Sequence, residues 1–367
     1  MWNKLGIMLA LLLILGGCYD YRETDNMAIV SGIHVSKGGE KLYRVTFEIV
    51  ATEEGEERGK TAAMEGITIA QAIDDATSLS GKKLYFGHTQ ILAFDYEMGK
   101  DGINETLDYF TRMGDMRLSM NVLVSKNISG EELFAGENDI RSFVLDEMIR
   151  ANEERAITPS VRLYELVSDS LEMGKDGYIP AVQKDENGNM VMVSTALFKD
   201  MKLVGELDEE GTKYLMVLGN IGNKGGFVLE RETGTPLSFE IRSRKTKITP
   251  HITSGRLVCD VTLEAEVSML EMTGNTSVLQ EKSKENIEQE LEKYVFEKMH
   301  EVLRKLRDNH NADCLGIGKK LLEKDEIIKE YLEEGFGELY SNSHFNVRVD
   351  VEITDSGRTL RRLAKLR

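Results

Sequence analysis

The residue with the clearest chemistry is Cys18, which closes the run Leu15-Gly16-Gly17-Cys18. A thiol with small neighbours can take a diacylglyceryl group, and a peptidase can then cut between Gly17 and Cys18. Lys4 and an unbroken apolar stretch over residues 7–15 precede it. A charged start, a short apolar core and small residues at the cut are the layout of a bacterial lipoprotein signal. The stretch falls short of the ~18–20 residues that cross a bilayer, and Tyr19-Asp20-Tyr21-Arg22-Glu23 ends it abruptly. The expectation is that residues 1–17 are a signal peptide that is removed. The mature chain then begins at Cys18, lies outside the cytoplasm and is held to a membrane by lipid there; two or more acyl chains hold stably where one is marginal.

The other candidates for chemistry are weaker. Ser80-Gly81-Lys82-Lys83 fits the S-x-x-K of penicillin-binding enzymes, and Ser168-Asp169-Ser170 loosely matches their S-D-N. That serine should open a helix with its lysine one turn on, whereas Gly81 falls between them at a predicted helix end, and a K-T-G triplet is missing. His300-Glu301 has no second histidine four residues on, and His34, His88, His251, His310 and His344 are scattered. Asp185, Asn187 and Asn189 resemble a calcium loop, but Gly188 is misplaced for one and no bidentate glutamate follows suitably; a hairpin turn accounts for them. Gly316-Ile317-Gly318 lacks the third glycine of a dinucleotide fingerprint and reads as the end of a long helix. Cys259 and Cys314 have no CxxC or Cys/His ligand spacing; they are either a disulfide, which an extracytoplasmic compartment permits, or small buried thiols. These residues predict no catalytic constellation, no metal and no cofactor.

The elements that would position these residues fall into an α+β pattern. Residues 19–60 read as two strands, with Tyr43, Val45, Phe47 and Ile49 alternating against Arg44, Thr46 and Glu48, the period of a half-buried strand. The run from Glu53 to Glu57 reads as a charged loop. A helix over 69–79 should stop at Ser80-Gly81. A buried strand over 84–94, a helix over 103–112, a strand over 118–124 and helices near 139–155 and 160–172 follow, then a hairpin turning at 184–189. Beyond a turn-rich stretch of about 196–250, Cys259, Val261, Leu263, Ala265, Val267 and Met269 alternate with polar residues. A helix over about 284–308 gathers Ile287, Leu291, Tyr294, Val295, Val302, Leu303 and Leu306 on one face. Phe345, Val347, Val349, Val351 and Ile353 alternate again. The expected architecture is three mixed domains: 18–195, a small middle one at 196–250, and 251–367. The last is a sheet of long antiparallel strands packed on one long amphipathic helix.

The chain has 367 residues and a formal charge of −17. Lys4 and the last ten residues, with Arg358, Arg361, Arg362, Lys365 and Arg367, carry six positive charges; without them residues 19–357 stand at −23. Such a body repels phosphates, which excludes nucleic acid as a partner. The basic tail interleaves Leu360, Leu363 and Leu366. It is read either as a contact for anionic headgroups or an acidic partner, or as a solvated terminus.

Several segments resemble a known family in the right order along nearly the whole mature chain. They are Cys18-Tyr19-Asp20, Met27-Ala28-Ile29-Val30-Ser31-Gly32-Ile33, Gly81-Lys82-Lys83-Leu84-Tyr85-Phe86-Gly87-His88 and Leu107-Asp108-Tyr109-Phe110-Thr111-Arg112. Thr195-Ala196-Leu197-Phe198-Lys199, Leu203-Val204-Gly205-Glu206-Leu207 and Asn311-Ala312-Asp313-Cys314-Leu315-Gly316-Ile317-Gly318 continue the series. The set resembles the Ger(x)C spore germination lipoproteins (GerAC/GerBC-like). Tyr19 stands where the family has tryptophan, His34 and Ser36 where it has glycine and aspartate, and Cys314 and Leu315 replace apolar and aromatic residues. The resemblance implies three α+β domains and a C subunit of a nutrient germinant receptor. That subunit would assemble with integral membrane A and B subunits on the outer face of the spore inner membrane. Only Cys18 carries over as a functional residue, through lipidation. The alternative is a solute-binding lipoprotein of a transporter, although the mature chain has no tryptophan to stack on sugars.

Overall fold

A computed structural model describes residues 27–355, apart from 54, 137–138, 223, 232–235, 273–280 and 325–328. Gly17, Cys18, the signal peptide and the basic tail at 358–367 lie outside the described residues.

The first half is a nine-stranded sheet in the order β3-β2-β1-β5-β6-β7-β8-β9, with β4 beside β1. Its strands are β1 (Met27–Lys37), β2 (Tyr43–Glu53), β3 (Glu56–Gly66), β4 (Lys83–Tyr85), β5 (Ile91–Asp95), β6 (Asn121–Ser125), β7 (Tyr178–Lys184), β8 (Met190–Lys199) and β9 (Lys202–Leu207). β1, β5, β6 and β7 run parallel, and antiparallel hairpins extend both flanks. Parallel sheets require cover on both faces, and here two cores supply it. Leu92, Phe94, Val122 and Val124 face one core, and Ile91, Ala93 and Leu123 face the other. This cover explains the unbroken apolar run of the central strands.

It also corrects three expectations. Thr46 and Glu48, read as the solvent side of β2, are wholly buried. Most of the charged run read as a loop over 53–57 is strand: Glu53 ends β2 opposite Glu56, which opens β3, a strand whose alternation is too polar to read from sequence. The single strand expected over 84–94 is two short ones separated at 86–90.

Among the described residues, seven helices belong to this half: α1 (Ile69–Ser80), α2 (Tyr96–Asp101), α3 (Asn104–Arg112), α4 (Gly130–Leu133), α5 (Arg141–Glu154), α6 (Leu163–Leu171) and α7 (Glu209–Gly219). α1 shows why such helices form where they do. Thr68 caps its start by accepting from the Gln71 N–H at 3.1 Å, and Gly81 takes the left-handed conformation at its end. Ile69, Ala72, Ile73 and Ala76 are spaced to face the sheet, and Leu79, in the last turn, is 76% exposed.

The second sheet runs β10 (Gly226–Leu229), β11 (Leu237–Thr253), β12 (Arg256–Met272) and β13 (His344–Asp355). β10, β11 and β12 are antiparallel, as expected, but β13 lies parallel to β12. The connection through helices α8 (Glu281–Arg304), α9 (Ile317–Leu322) and α10 (Lys329–Ser341) crosses the sheet face and returns the chain in the same direction. One face is covered. Leu257, Cys259, Val261, Leu263, Ala265, Val267 and Met269 meet Ile287, Leu291, Val295, Met299 and Val302 of α8. α8 ends in a π-helical turn at Lys305–Asn309. On the outer edge, the Val351 and Ile353 N–H groups donate to Glu292 and Glu288 of α8 at 3.1 and 2.7 Å, so part of the open ladder is occupied.

The segment 196–250 forms no sheet of its own among the described residues. It completes β8 and β9 in the first sheet, then supplies β10 and most of β11 to the second. α7 between them packs Tyr214, Leu215, Val217 and Leu218 into a core that also holds Leu197 and Leu207 of the first sheet. The Arg244 guanidinium of β11 donates to the Met216, Val217 and Gly222 carbonyls at the end of α7, at 3.2, 3.1 and 2.9 Å.

Candidate functional site

The two halves meet at a joint built from residues 174–177, before β7, and 311–318, between α8 and α9. Asp176 N–H donates to the Asp313 carbonyl at 2.9 Å, and Asp313 N–H donates back to the Asp176 carboxylate at 2.7 Å. The Asp313 carboxylate accepts from the Ile317 and Gly318 N–H groups at 2.9 and 2.8 Å, tying down the first turn of α9. Lys319 N–H reaches the Gly174 carbonyl at 2.9 Å. Here the backbones touch: a Cβ on Gly318 would lie 2.6 Å from the Gly174 Cα, and one on Gly174 would lie 2.5 Å from the Gly318 Cα. Gly316-Ile317-Gly318 therefore does not end the long helix. Gly316, left-handed at φ 63°, opens α9, and Gly318 is small because another chain segment lies against it.

Burial dominates the electrostatics of this joint. It raises Asp313 to about 7 against the downward pull of its two N–H donors, and it raises Asp176 as well. Cys259 and Cys314 are free, buried thiols; burial pushes Cys259 up to about 12 and raises Cys314 well above its ordinary value. A thiol held protonated in this way is a packing group and a poor nucleophile. Beside the joint lies a cleft of about 630 Å³, lined in part by Asn104, Lys175, Asp176, Lys199, Asp200 and Tyr340. Lys199 is held by the Asn311 carbonyl and Lys175 by Asp169 at 2.6 Å.

The remaining sequence candidates are occupied structurally. The Ser80 hydroxyl donates to the Thr77 and Lys82 carbonyls at 3.1 and 3.0 Å, and Lys83 pairs with Asp115 at 3.4 Å. Asp185 accepts from the Asn187 and Asn189 N–H groups within the hairpin turn. His300 stacks on Phe296. His34, buried and pushed down to about 4 by desolvation, bonds Ser125 through Nε2 at 2.8 Å. Among the described residues, no cluster of three or more His, Cys, Asp or Glu could hold a metal, and no helix is long and apolar enough to cross a membrane.

Two structural carboxylates escaped the sequence reading. Asp176 carried no motif. Glu48 appeared to face solvent, yet its oxygens accept from the Ser31 hydroxyl at 2.8 Å, the Ser142 N–H at 2.9 Å and the Arg141 N–H, and so cap α5 from a distant strand. A glutamate flanked by apolar residues on a strand with both faces covered was the available signal.

Two family models cover the chain almost end to end: "Spore germination protein N-terminal domain" over residues 20–184 and "Spore germination B3/ GerAC like, C-terminal" over 194–357. Spore germination protein B3 of Bacillus subtilis is 21% identical over 97% of this chain and 98% of its own length. Spore germination protein GerQC of Bacillus cereus is 23% identical over 96% and 98%. The crystal structure of the GerBC protein superposes with a TM-score of 0.62 over 88% of this chain and 97% of that one, at 19% identity, which shows a shared fold. With both halves matched in order, the chain belongs to the Ger(x)C, GerAC-like family of spore germination proteins.

Proposed function

We propose that this chain is the lipid-anchored, non-catalytic C subunit of a spore nutrient germinant receptor, assembling with integral membrane A and B subunits at the outer face of the spore inner membrane. The observation that carries the reading is the family match over both halves, joined to the lipidation pattern ending at Cys18. An acyl anchor confines the body to two dimensions and raises its effective concentration beside membrane partners. The joint holds the two halves together, so that a partner would meet a single preorganised surface.

The test is dipicolinate release from purified spores lacking this gene, across amino acids, sugars and nucleosides. Selective loss of response to particular nutrients, restored by the wild-type gene but not by Cys18→Ala, is the expected result. A Cys18→Ala protein that is fully membrane-bound and fully functional would remove the anchor from the reading. Normal germination in every nutrient, together with saturable binding of a small solute by the purified body, would favour the transporter alternative.

A further inference from the structure

The end of the second sheet where β12 and β13 finish sets carboxylates side by side. β12 and β13 are parallel, and their register puts Glu264 opposite Asp350 and Glu266 opposite Glu352. All four are exposed, on the face turned away from α8. Like charges directly opposite one another destabilise a strand pair. The cations beside them are Lys245, opposite Glu264 on β11, and Arg348, which reaches Asp350 at 3.5 Å; Ser243 stands opposite Glu266. The imbalance extends around this end, since residues 228–245, 264–272, 281–292 and 348–355 include fourteen acidic and seven basic ones. Two further features mark the same face. Ser268 is 1% exposed, and its hydroxyl has no hydrogen-bond partner among the described residues, although a buried polar group ordinarily has one. Leu270 is 64% exposed.

The chain that follows β13 has the opposite charge. Residues 358–367 hold Arg358, Arg361, Arg362, Lys365 and Arg367 with no acid, interleaved with Leu360, Leu363 and Leu366. They lie beyond residue 357, where the family model of the C-terminal half stops. Strands lie about 4.8 Å apart and rise about 3.3 Å per residue. All four carboxylates therefore fall within about 20 Å of the end of β13 at Asp355, and a ten-residue segment spans up to about 35 Å.

We propose that residues 358–367 dock on this face of their own chain, basic side chains among Glu264, Glu266, Asp350 and Glu352 and leucines against Leu270. Arginine suits the site because its fork of N–H donors can meet two neighbouring carboxylates, with donors left for a hydroxyl such as that of Ser268. The occupant is the chain's own segment because attachment to β13 gives it an effective concentration on the order of millimolar, which a separate basic partner has to exceed. Docking covers the acidic face and withholds the tail's charge from lipid phosphates. It does not depend on the anchor at Cys18.

From Cys18 onward the chain has no tryptophan, so Leu363→Trp gives the tail a single quencher. The chain from residue 18, with Cys18→Ser, carries a bimane fluorophore on Ser243→Cys, an exposed position; Cys259 and Cys314 are buried and spared. Indole in contact with bimane quenches its emission. At low salt, emission should be at least about threefold below that of the same labelled chain with Leu363 intact. Roughly 0.5 M salt should restore it, as should Glu264→Lys/Glu352→Lys. The neutral pair Glu264→Gln/Glu352→Gln should restore part of it, and serves where the reversed pair does not fold.

Emission that Leu363→Trp leaves unchanged, or quenching that survives both salt and charge reversal, would overturn the proposal. Quenching that appears only on mixing chains carrying one substitution each would overturn it in favour of a second copy. Relief by vesicles of phosphatidylcholine with phosphatidylglycerol would overturn it in favour of a bilayer.

Discussion

The joint and the exposed ends of α1 and α3 are built on opposite principles. At the joint, backbone meets backbone, the Asp313 carboxylate is buried, and Asp176, Asp313, Gly174 and Lys319 bond across the two halves. Just beyond α1 and at the end of α3, Lys83 and Arg112 stand in solvent in pairs that contribute little to stability. The joint should therefore tolerate almost no change and these helix ends nearly any. Stability and surface function can then be altered separately.

The largest effect expected is from Gly318→Val. Its side chain must displace the Gly174 backbone or the Phe336 ring, which a Cβ would approach to 2.7 Å. A loss of about 3 kcal/mol, measured by urea unfolding, is the expected outcome. A loss under about 0.5 kcal/mol would show that the joint yields.

Next is pH. Asp313 stands at about 7 in the folded chain against an ordinary 3.8, so the folded state binds the extra proton. Its stabilisation is complete below the ordinary value and is lost as pH rises through about 7. Between pH 4 and 8 the contribution is on the order of 3 kcal/mol. Asp313→Asn should flatten that slope, and an unchanged profile would assign it elsewhere.

Glu48→Ala extends the comparison into the first sheet. Removing the carboxylate leaves the Arg141 and Ser142 N–H groups at the start of α5 without their acceptor, at a cost of about 2 kcal/mol. Native-state hydrogen exchange should show the loosening in α5 before the second sheet. The smallest effect is Lys82→Ser with Arg117→Ser: unfolding free energy should move by less than about 0.5 kcal/mol. A larger loss would make these helix ends structural and erase the contrast.

What could be read from the sequence followed from how each sheet is covered. β12 and α8 were legible because one face is apolar and the other wet, so the periods of 2 and 3.6 stand out. β5 was legible as part of an apolar run, but its separation from β4 was not; β6 read as an alternating strand although both of its faces are buried. β3 was invisible because its edge position asks little of its side chains. Of the joint, the segment 311–318 drew notice for its glycines, but its role depends on Gly174 and Asp176, more than 130 residues away. Pairings at that separation leave no local pattern. The lipidation pattern at Cys18 is local in the sequence and lies outside the described residues.

The place of β1 has a mechanical consequence. Under the anchoring proposed at Cys18, a tether would pull on an interior strand, paired with β2 and with β4 and β5, along the strand's own axis. Load in that direction shears many ladder hydrogen bonds at once, whereas a pull across an edge strand would unzip them one at a time. A body hung from β1 should bear traction at its anchor, such as that from a membrane changing area beneath it, and pass the load into the middle of the sheet before any strand lets go.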